Sequence, residues 1–219
     1  MGIISRIGMD RRAEMFNQVE WLFFDIGSTL VDEHAAYTHR LRDIASLAHV
    51  SYEAVYETAI GFYKQNQKGD SEAAKHFAVP MPKWHTEDEV LYEDTAVCLE
   101  MLSKRYQIGI IANQAPGSRD RLKQHGILQY IDLVIASAEE GVAKPDKRIF
   151  EIALERSKCT PERAVMIGDR IDNDIVPAKS LGMHTIWIKQ GFGQYWDISG
   201  ETERPDQTVN CLWELCDIL

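Results

Sequence analysis

Two carboxylates, one amide and one ammonium group follow hydrophobic runs of this sequence, and together they have the chemistry of a metal and phosphate site. Asp25 comes directly after the run VEWLFF, Asn113 comes after QIGIIA, and Asp169 comes after AVMIG. Lys144 lies in the segment that follows another run, LVIA. Carboxylate oxygens are ligands that Mg²⁺ prefers, and the ion often shares its coordination with phosphate oxygens. A lysine beside them can offset the charge of a phosphate.

The hydrophobic runs predict the strands that position these groups. Five short runs have the pattern of strands buried on both faces, and they lie at residues 19–24, 107–112, 133–136, 164–167 and 185–188. Helical patterns separate the later runs, at residues 117–125, 146–157 and 172–181. This alternation predicts right-handed βαβ units and an α/β fold with a parallel sheet. Because ligands bind at the carboxyl ends of such strands, we expect the two carboxylates, the amide and Lys144 to meet there.

The segment between the first and second runs breaks this alternation. Residues 34–93 contain helical patterns and a proline-bearing turn but no buried strand run. We therefore predict a small α-helical domain over residues 34–93 and a core domain made of residues 1–33 and 94–219. Residues 1–18 are interpreted as an extension of the core without a functional role.

Composition and charge exclude several classes of protein. The chain of 219 residues has 24 Lys and Arg against 34 Asp and Glu, a net charge of −10. Without a basic run, this charge predicts no binding to nucleic acid or to a membrane surface. No segment is apolar enough to span a bilayer, and the first residues lack the apolar core of a signal peptide. Four cysteines without C-x-x-C spacing favour a reduced, cytoplasmic protein. The oligomeric state is left open.

Four segments, in order, resemble the four motifs of the haloacid dehalogenase-like (HAD) hydrolase superfamily: FFDIGSTL, IIANQ, GVAKPD and IGDRIDND. The resemblance extends from about residue 19 to the C-terminus, and the helical insert lies where that superfamily most often inserts its cap. It implies a Rossmann-like three-layer α/β/α sandwich with a small α-helical cap domain. It also implies a Mg²⁺-dependent phosphohydrolase that acts on a small phosphorylated metabolite through an aspartyl-phosphate intermediate.

The resemblance gives each matching residue an expected role. Asp25 matches the nucleophile, and Lys144 matches the catalytic cation that offsets charge between that nucleophile and the phosphoryl oxygens. The implied metal ligands are Asp25, the backbone carbonyl of Gly27, Asp169 and Asp174, the last directly or through water. The implied phosphate-binding groups are Lys144 and the backbone N–H groups of Ile26, Ser28 and Asn113.

Two positions depart from the superfamily's pattern. Its phosphatases usually carry a second Asp, the general acid and base, where this chain has Gly27. General acid–base catalysis contributes about 10²–10⁴-fold. The sequence therefore predicts a rate that depends steeply on the leaving group, with aryl phosphates hydrolysed far better than alkyl phosphates. Ala112 replaces the usual Ser or Thr, which removes one hydrogen bond to the phosphate at a cost of roughly 1.5–3 kcal/mol.

Four side chains after the first motif could supply the missing proton: Asp32, Glu33, His34 and His39. The sequence does not distinguish among them. Histidine titrates near neutral pH, so His34 is the first of the four to test.

Two alternative functions remain open at this point. A 2-haloacid dehalogenase-type hydrolase expels a halide and needs no proton donor, which fits Gly27. Such an enzyme needs no metal either, so the retained pair Asp169 and Asp174 favours phosphate chemistry. A low-turnover phosphate-binding regulatory protein fits both departures, but carboxylates crowded without a metal are costly to retain.

Overall fold

A six-stranded parallel sheet forms the centre of the protein. The computed structural model describes residues 15–219, so most of the predicted extension at 1–18 lies outside the described residues. The strands in chain order are β1 (Trp21–Phe24), β2 (Val31–Asp32), β3 (Val90–Leu91), β4 (Gln107–Ala112), β5 (Leu133–Ala136), β6 (Ala164–Gly168), β7 (His184–Ile188) and β8 (Gln207–Val209). The sheet has the spatial order β5-β4-β1-β6-β7-β8, with every neighbouring pair parallel.

Helices cover both faces of this sheet. Those of residues 15–219 are α1 (His34–Ala48), α2 (Tyr52–Tyr63), α3 (Gly69–His76), α4 (Thr95–Leu102), α5 (Ser118–Gln124), α6 (Ser137–Glu140), α7 (Lys147–Ser157), α8 (Val176–Ser180) and α9 (Trp213–Ile218). A π-helical turn, Ile171–Ile175, precedes α8. The pattern at 172–181 predicts an ordinary helix there, so this turn is a difference that the sequence does not reveal.

Alternate side chains of β1 point into two separate cores. Leu22 and Phe24 pack in a cluster that includes buried residues of α4, α5 and α9. Phe23 packs in a second cluster with buried residues of α7 and α8. Because successive side chains of a strand face opposite ways, the sheet lies between two helical layers. The predicted α/β/α sandwich is therefore confirmed.

Helices α1, α2 and α3 form a separate hydrophobic cluster between β2 and β3. These two short strands pair antiparallel where the chain leaves and rejoins the sheet region. The helical cluster includes Leu41, Ile44, Val55, Ala59, Tyr63 and Ala73. Phe192, from the turn Gly191–Tyr195 that follows β7, packs in the same cluster. Its ring stacks on that of Tyr63, with centroids 4.8 Å apart. The boundaries 34 and 93 of a cap domain stay a prediction.

Within residues 15–219, no helix combines the length and the hydrophobicity needed to cross a bilayer.

The position of Phe192 predicts a large effect of truncation on stability. Phe192→Ala should lower the free energy of unfolding by about 3 kcal/mol, because it leaves a cavity between the turn and the helical cluster. Gln194→Ala, an exposed change in the same turn, should stay within about 0.5 kcal/mol of the wild type. Urea unfolding measures both values. Equal stabilities of the two variants would contradict the packing assigned to Phe192.

Candidate active site

Lys144 joins two carboxylates that come from different parts of the chain. Its Nζ lies 2.7 Å from Oδ1 of Asp25 and 2.6 Å from Oδ1 of Asp174. Lys144 and Asp174 are buried, and the Asp25 side chain is 13% exposed. One carboxylate oxygen each of Asp25, Asp169 and Asp174 lies within 4.8 Å of the others. The structure thus brings Asp25, Lys144 and Asp169 together, as their positions after the hydrophobic runs predict. Asp174, which the motif resemblance adds, lies with them.

The ends of the two central strands position these aspartates. Asp25 follows β1, and its backbone N–H donates to the carbonyl of Ile167 in β6 at 2.9 Å. Asp169 follows β6, and its carbonyl accepts a hydrogen bond from Nε1 of Trp187 at 2.8 Å. Asp174 lies in the π-helical turn, where its carboxylate accepts from the backbone N–H of Arg170 at 3.0 Å.

The turn after β7 approaches Asp169 closely. A Cβ placed on Gly193 would lie 2.7 Å from Oδ2 of Asp169 and still closer to its backbone carbonyl. Any side chain at position 193 would therefore displace Asp169. The same turn carries Phe192 into the helical cluster, so one short segment contacts both parts of the molecule.

Asn113 fixes the segment that carries Lys144. Its Nδ2 donates to the Lys144 carbonyl at 2.9 Å, and the Lys144 N–H donates to its Oδ1 at 2.8 Å. The Asn113 side chain thus holds the backbone of Lys144 in place. Sequence reasoning missed this role, and its expectation for the backbone N–H of Asn113 stays a prediction.

A cavity of about 390 Å³ opens above the aspartates and extends to the helical cluster. Gly27, Glu33 and Asn113 line it together with Asp25, Lys144, Asp169 and Asp174. Four further cationic side chains line it: Arg40, Lys68, Arg121 and Arg170. Asp70 pairs with Arg40 at 2.9 Å and Asp172 pairs with Arg170 at 2.6 Å. Lys68 and Arg121 form no ion pair with a carboxylate within residues 15–219, so they are the lining cations available to an anionic molecule.

Of the four predicted proton donors, Glu33 alone lines this cavity. Asp32 and the exposed His34 line a second cavity, and His39 pairs with Asp88 at 2.8 Å. The priority that the sequence gives to His34 therefore has no support in the structure.

Ser28, a predicted phosphate-binding residue, is buried and is not among the residues that line the cavity. Its backbone has φ +52°, and its hydroxyl donates to Oε2 of Glu33 at 2.9 Å. The structure thus places the Ser28 side chain against Glu33, and the phosphate role of its N–H stays a prediction.

Burial raises the pKa of three carboxyl groups of the site, those of Asp169, Asp174 and Glu33. Burial, and then the charges of Asp174 and Asp25, raises the pKa of Asp169 well above its ordinary value. Burial likewise raises the pKa of Asp174 to about 6, although the Lys144 ammonium opposes that change. Burial raises the pKa of Glu33 to about 8, a rise that the hydrogen bond from Ser28 limits and the Asp25 charge reinforces.

A divalent cation fits the aspartate cluster. Three carboxylates face one ammonium group, which leaves two negative charges in a buried place where uncompensated charge is costly. All three side-chain donors are oxygens, the ligands that suit Mg²⁺. Asp25, Asp169 and Asp174 therefore have the chemistry to hold Mg²⁺, and Gly27 lines the same cavity.

Comparison with known proteins agrees with this geometry. The family model described as haloacid dehalogenase-like hydrolase matches residues 19–182, which include every residue of the cluster. The chain belongs to the haloacid dehalogenase-like hydrolase family. A glyceraldehyde 3-phosphate phosphatase from Pyrococcus furiosus is 27% identical to this HAD-like hydrolase, over 92% of this chain and 93% of its own length.

Solved structures show the same fold. A HAD phosphatase from Thermococcus onnurineus has a TM-score of 0.62 and 26% identity, over 91% of this chain and 97% of its own. A dehalogenase solved with an intermediate complex has a TM-score of 0.68 and 20% identity, over 92% and 97% of the two chains. The second likeness shows the fold alone, so the distinction between phosphate and halide chemistry has to come from the site.

The charge of the cluster predicts that Mg²⁺ stabilises this hydrolase. Adding Mg²⁺ to protein treated with EDTA should raise its melting temperature, because binding to the folded state stabilises it by about 2.7 kcal/mol at 100 times Kd. Asp169→Asn should remove most of this rise. Asp172→Asn is the matched control, since Asp172 belongs to the same segment but pairs with Arg170 outside the cluster. An undiminished rise in Asp169→Asn would contradict the assigned site.

Proposed function

We propose that this protein is a Mg²⁺-dependent phosphatase of small phosphorylated metabolites that works through an aspartyl-phosphate on Asp25. The observation that carries the proposal is the contact of Lys144 with both Asp25 and Asp174, next to Asp169. A carboxylate nucleophile, a fixed cation and an acidic metal site are the groups that phosphoryl transfer requires. Dehalogenation uses no metal, so it gives no reason for the pair Asp169 and Asp174.

In the proposed reaction, an oxygen of Asp25 attacks phosphorus and the bond to the substrate's leaving oxygen breaks. Water then attacks phosphorus of the aspartyl-phosphate, which releases inorganic phosphate and restores Asp25. Lys144 holds the Asp25 carboxylate by its 2.7 Å contact and offsets charge on the phosphoryl oxygens. Mg²⁺ bound by the aspartates would supply further neutralisation and would orient the phosphate.

The size and charge of the cavity support a small substrate. A volume of about 390 Å³ lies at the lower end of the range for ligand pockets. Two cationic side chains line it, Lys68 beside the helical cluster and Arg121 beside Gln114. Glyceraldehyde 3-phosphate is the first compound to test, because the Pyrococcus furiosus relative aligned over 92% of this chain is named for it.

Phosphate release from a panel of phosphorylated metabolites tests the proposal. The wild type should release phosphate with Mg²⁺ and lose this activity in EDTA. Asp25→Asn should lose essentially all turnover, because it removes the nucleophilic oxygen while it keeps the size of the side chain. Asp172→Asn again serves as the control, with activity close to that of the wild type. Metal-independent release of chloride from a 2-chloroacid, without phosphate release from any compound, would overturn the proposal in favour of a dehalogenase.

A further inference from the structure

The space beside Gly27 is filled by another residue's carboxyl group. A Cβ placed on Gly27 would lie 2.5 Å from Oε1, 2.8 Å from Cδ and 2.9 Å from Oε2 of Glu33. All three distances are shorter than the separation of atoms in van der Waals contact, about 3.5–4.0 Å between carbons. A side chain at position 27 and the present position of Glu33 therefore exclude each other. A carboxyl group thus lies where the side chain of residue 27 would begin.

The neighbouring secondary structure and a hydrogen bond from Ser28 hold Glu33 in this position. Glu33 lies between β2 and the first residue of α1, so both neighbouring elements fix its backbone. The buried hydroxyl of Ser28 donates to Oε2 at 2.9 Å. Within residues 15–219, Oε1 accepts no hydrogen bond, and Glu33 lines the cavity that also contains Asp25 and Lys144. One carboxyl oxygen is thus anchored, while the other is available to a bound molecule.

Other carboxyl groups near the insert are less suited to the reacting centre. Asp32 lines the second cavity, and its Oδ1 accepts from the backbone N–H of His34 at 2.8 Å. Glu89 lines the first cavity and, like Glu33, has one oxygen in a hydrogen bond, from Nε1 of Trp84 at 2.5 Å. The three atoms nearest to a Cβ on Gly27, however, all belong to Glu33 and none to Glu89. Of these carboxyl groups, that of Glu33 therefore lies directly beside Gly27.

We propose that Glu33 is the general acid and base of this hydrolase and replaces the Asp that position 27 lacks; the assignment rests on the proposed phosphatase function. When the oxygen of Asp25 bonds to phosphorus, the bond to the leaving oxygen breaks and that oxygen takes the proton of the Glu33 carboxyl. In the second step, the attacking water gives a proton to the Glu33 carboxylate as its oxygen bonds to phosphorus. The bond to Asp25 then breaks, and both side chains return to their starting forms.

This assignment reverses the expectation drawn from Gly27 alone. With Glu33 as the proton donor, the wild type should hydrolyse alkyl and aryl phosphates with only a shallow dependence on the leaving group. Glu33→Gln keeps the shape but cannot donate or accept the proton. Its rate with alkyl phosphates should fall by about 10²–10⁴-fold, whereas formation of aspartyl-phosphate from p-nitrophenyl phosphate should fall much less.

A burst experiment separates the two steps. In Glu33→Gln, p-nitrophenyl phosphate should give a rapid release of about one nitrophenol per protein, followed by a slow steady state, since the second step lacks its base. Asp32→Asn, a neighbouring change outside the first cavity, should retain the rates of the wild type. An equal fall in the hydrolysis rates of all substrates, without a burst, would mean that Glu33 has only a structural role. That result would overturn the assignment.

A double variant that has a carboxyl group at position 27 instead of position 33 gives a second test, so the assignment does not depend on one substitution. Gly27→Asp combined with Glu33→Ala should hydrolyse alkyl phosphates at least about tenfold faster than Glu33→Ala alone. No recovery in a folded double variant, together with an unimpaired Glu33→Gln, would refute the role of Glu33 and leave the phosphatase function standing. If the wild type releases no phosphate from any substrate, both the proposed function and this assignment fail.

Discussion

The ammonium group of Lys144 contacts Asp25 at 2.7 Å and Asp174 at 2.6 Å in a place almost closed to water. Burial of these charges is expensive, and removal of one partner from such an arrangement typically costs about 3–5 kcal/mol. Specific contacts of the surrounding structure hold these charged groups in place. Asn113 clamps the Lys144 backbone, and the N–H of Arg170 binds Asp174. The ends of β1 and β6 bring the aspartates close enough to share a cation.

Much of this arrangement follows from the sequence, because parallel strands end on one side of a sheet. The hydrophobic runs at β4 and β5 have the bounds of the observed strands, and β1 and β6 differ from their runs only at an end. Asp25 and Asp169 could be placed at the same edge since each follows a continuous buried run. Lys144 and Asp174 needed the motif resemblance as well, because a loop lysine and a helix-start aspartate usually have ordinary structural roles.

The remaining features depend on contacts between distant segments. The side chains of Asn113 and Ser28 bind Lys144 and Glu33, and no local pattern indicates either partner. The strand β8 is three residues long and carries no continuous buried run. In the sequence, Glu33 is one of four candidate proton donors, and His34 ranks before it. A useful signal was present, however: a glycine where a carboxylate is expected creates room that a carboxylate a few residues along the chain can fill.

The turn Gly191–Tyr195 contacts both the helical cluster and the aspartate cluster, so the helices cannot be exchanged independently of the site. Phe192 completes the hydrophobic cluster of α1, α2 and α3, whereas the adjoining Gly193 lies directly against Asp169. The helical insert is therefore not a freely interchangeable module, although it is continuous in sequence. A chimaera that received the insert of another family member would also need that member's turn after β7. Without it, a new set of helices would press on the backbone that carries a metal-binding aspartate.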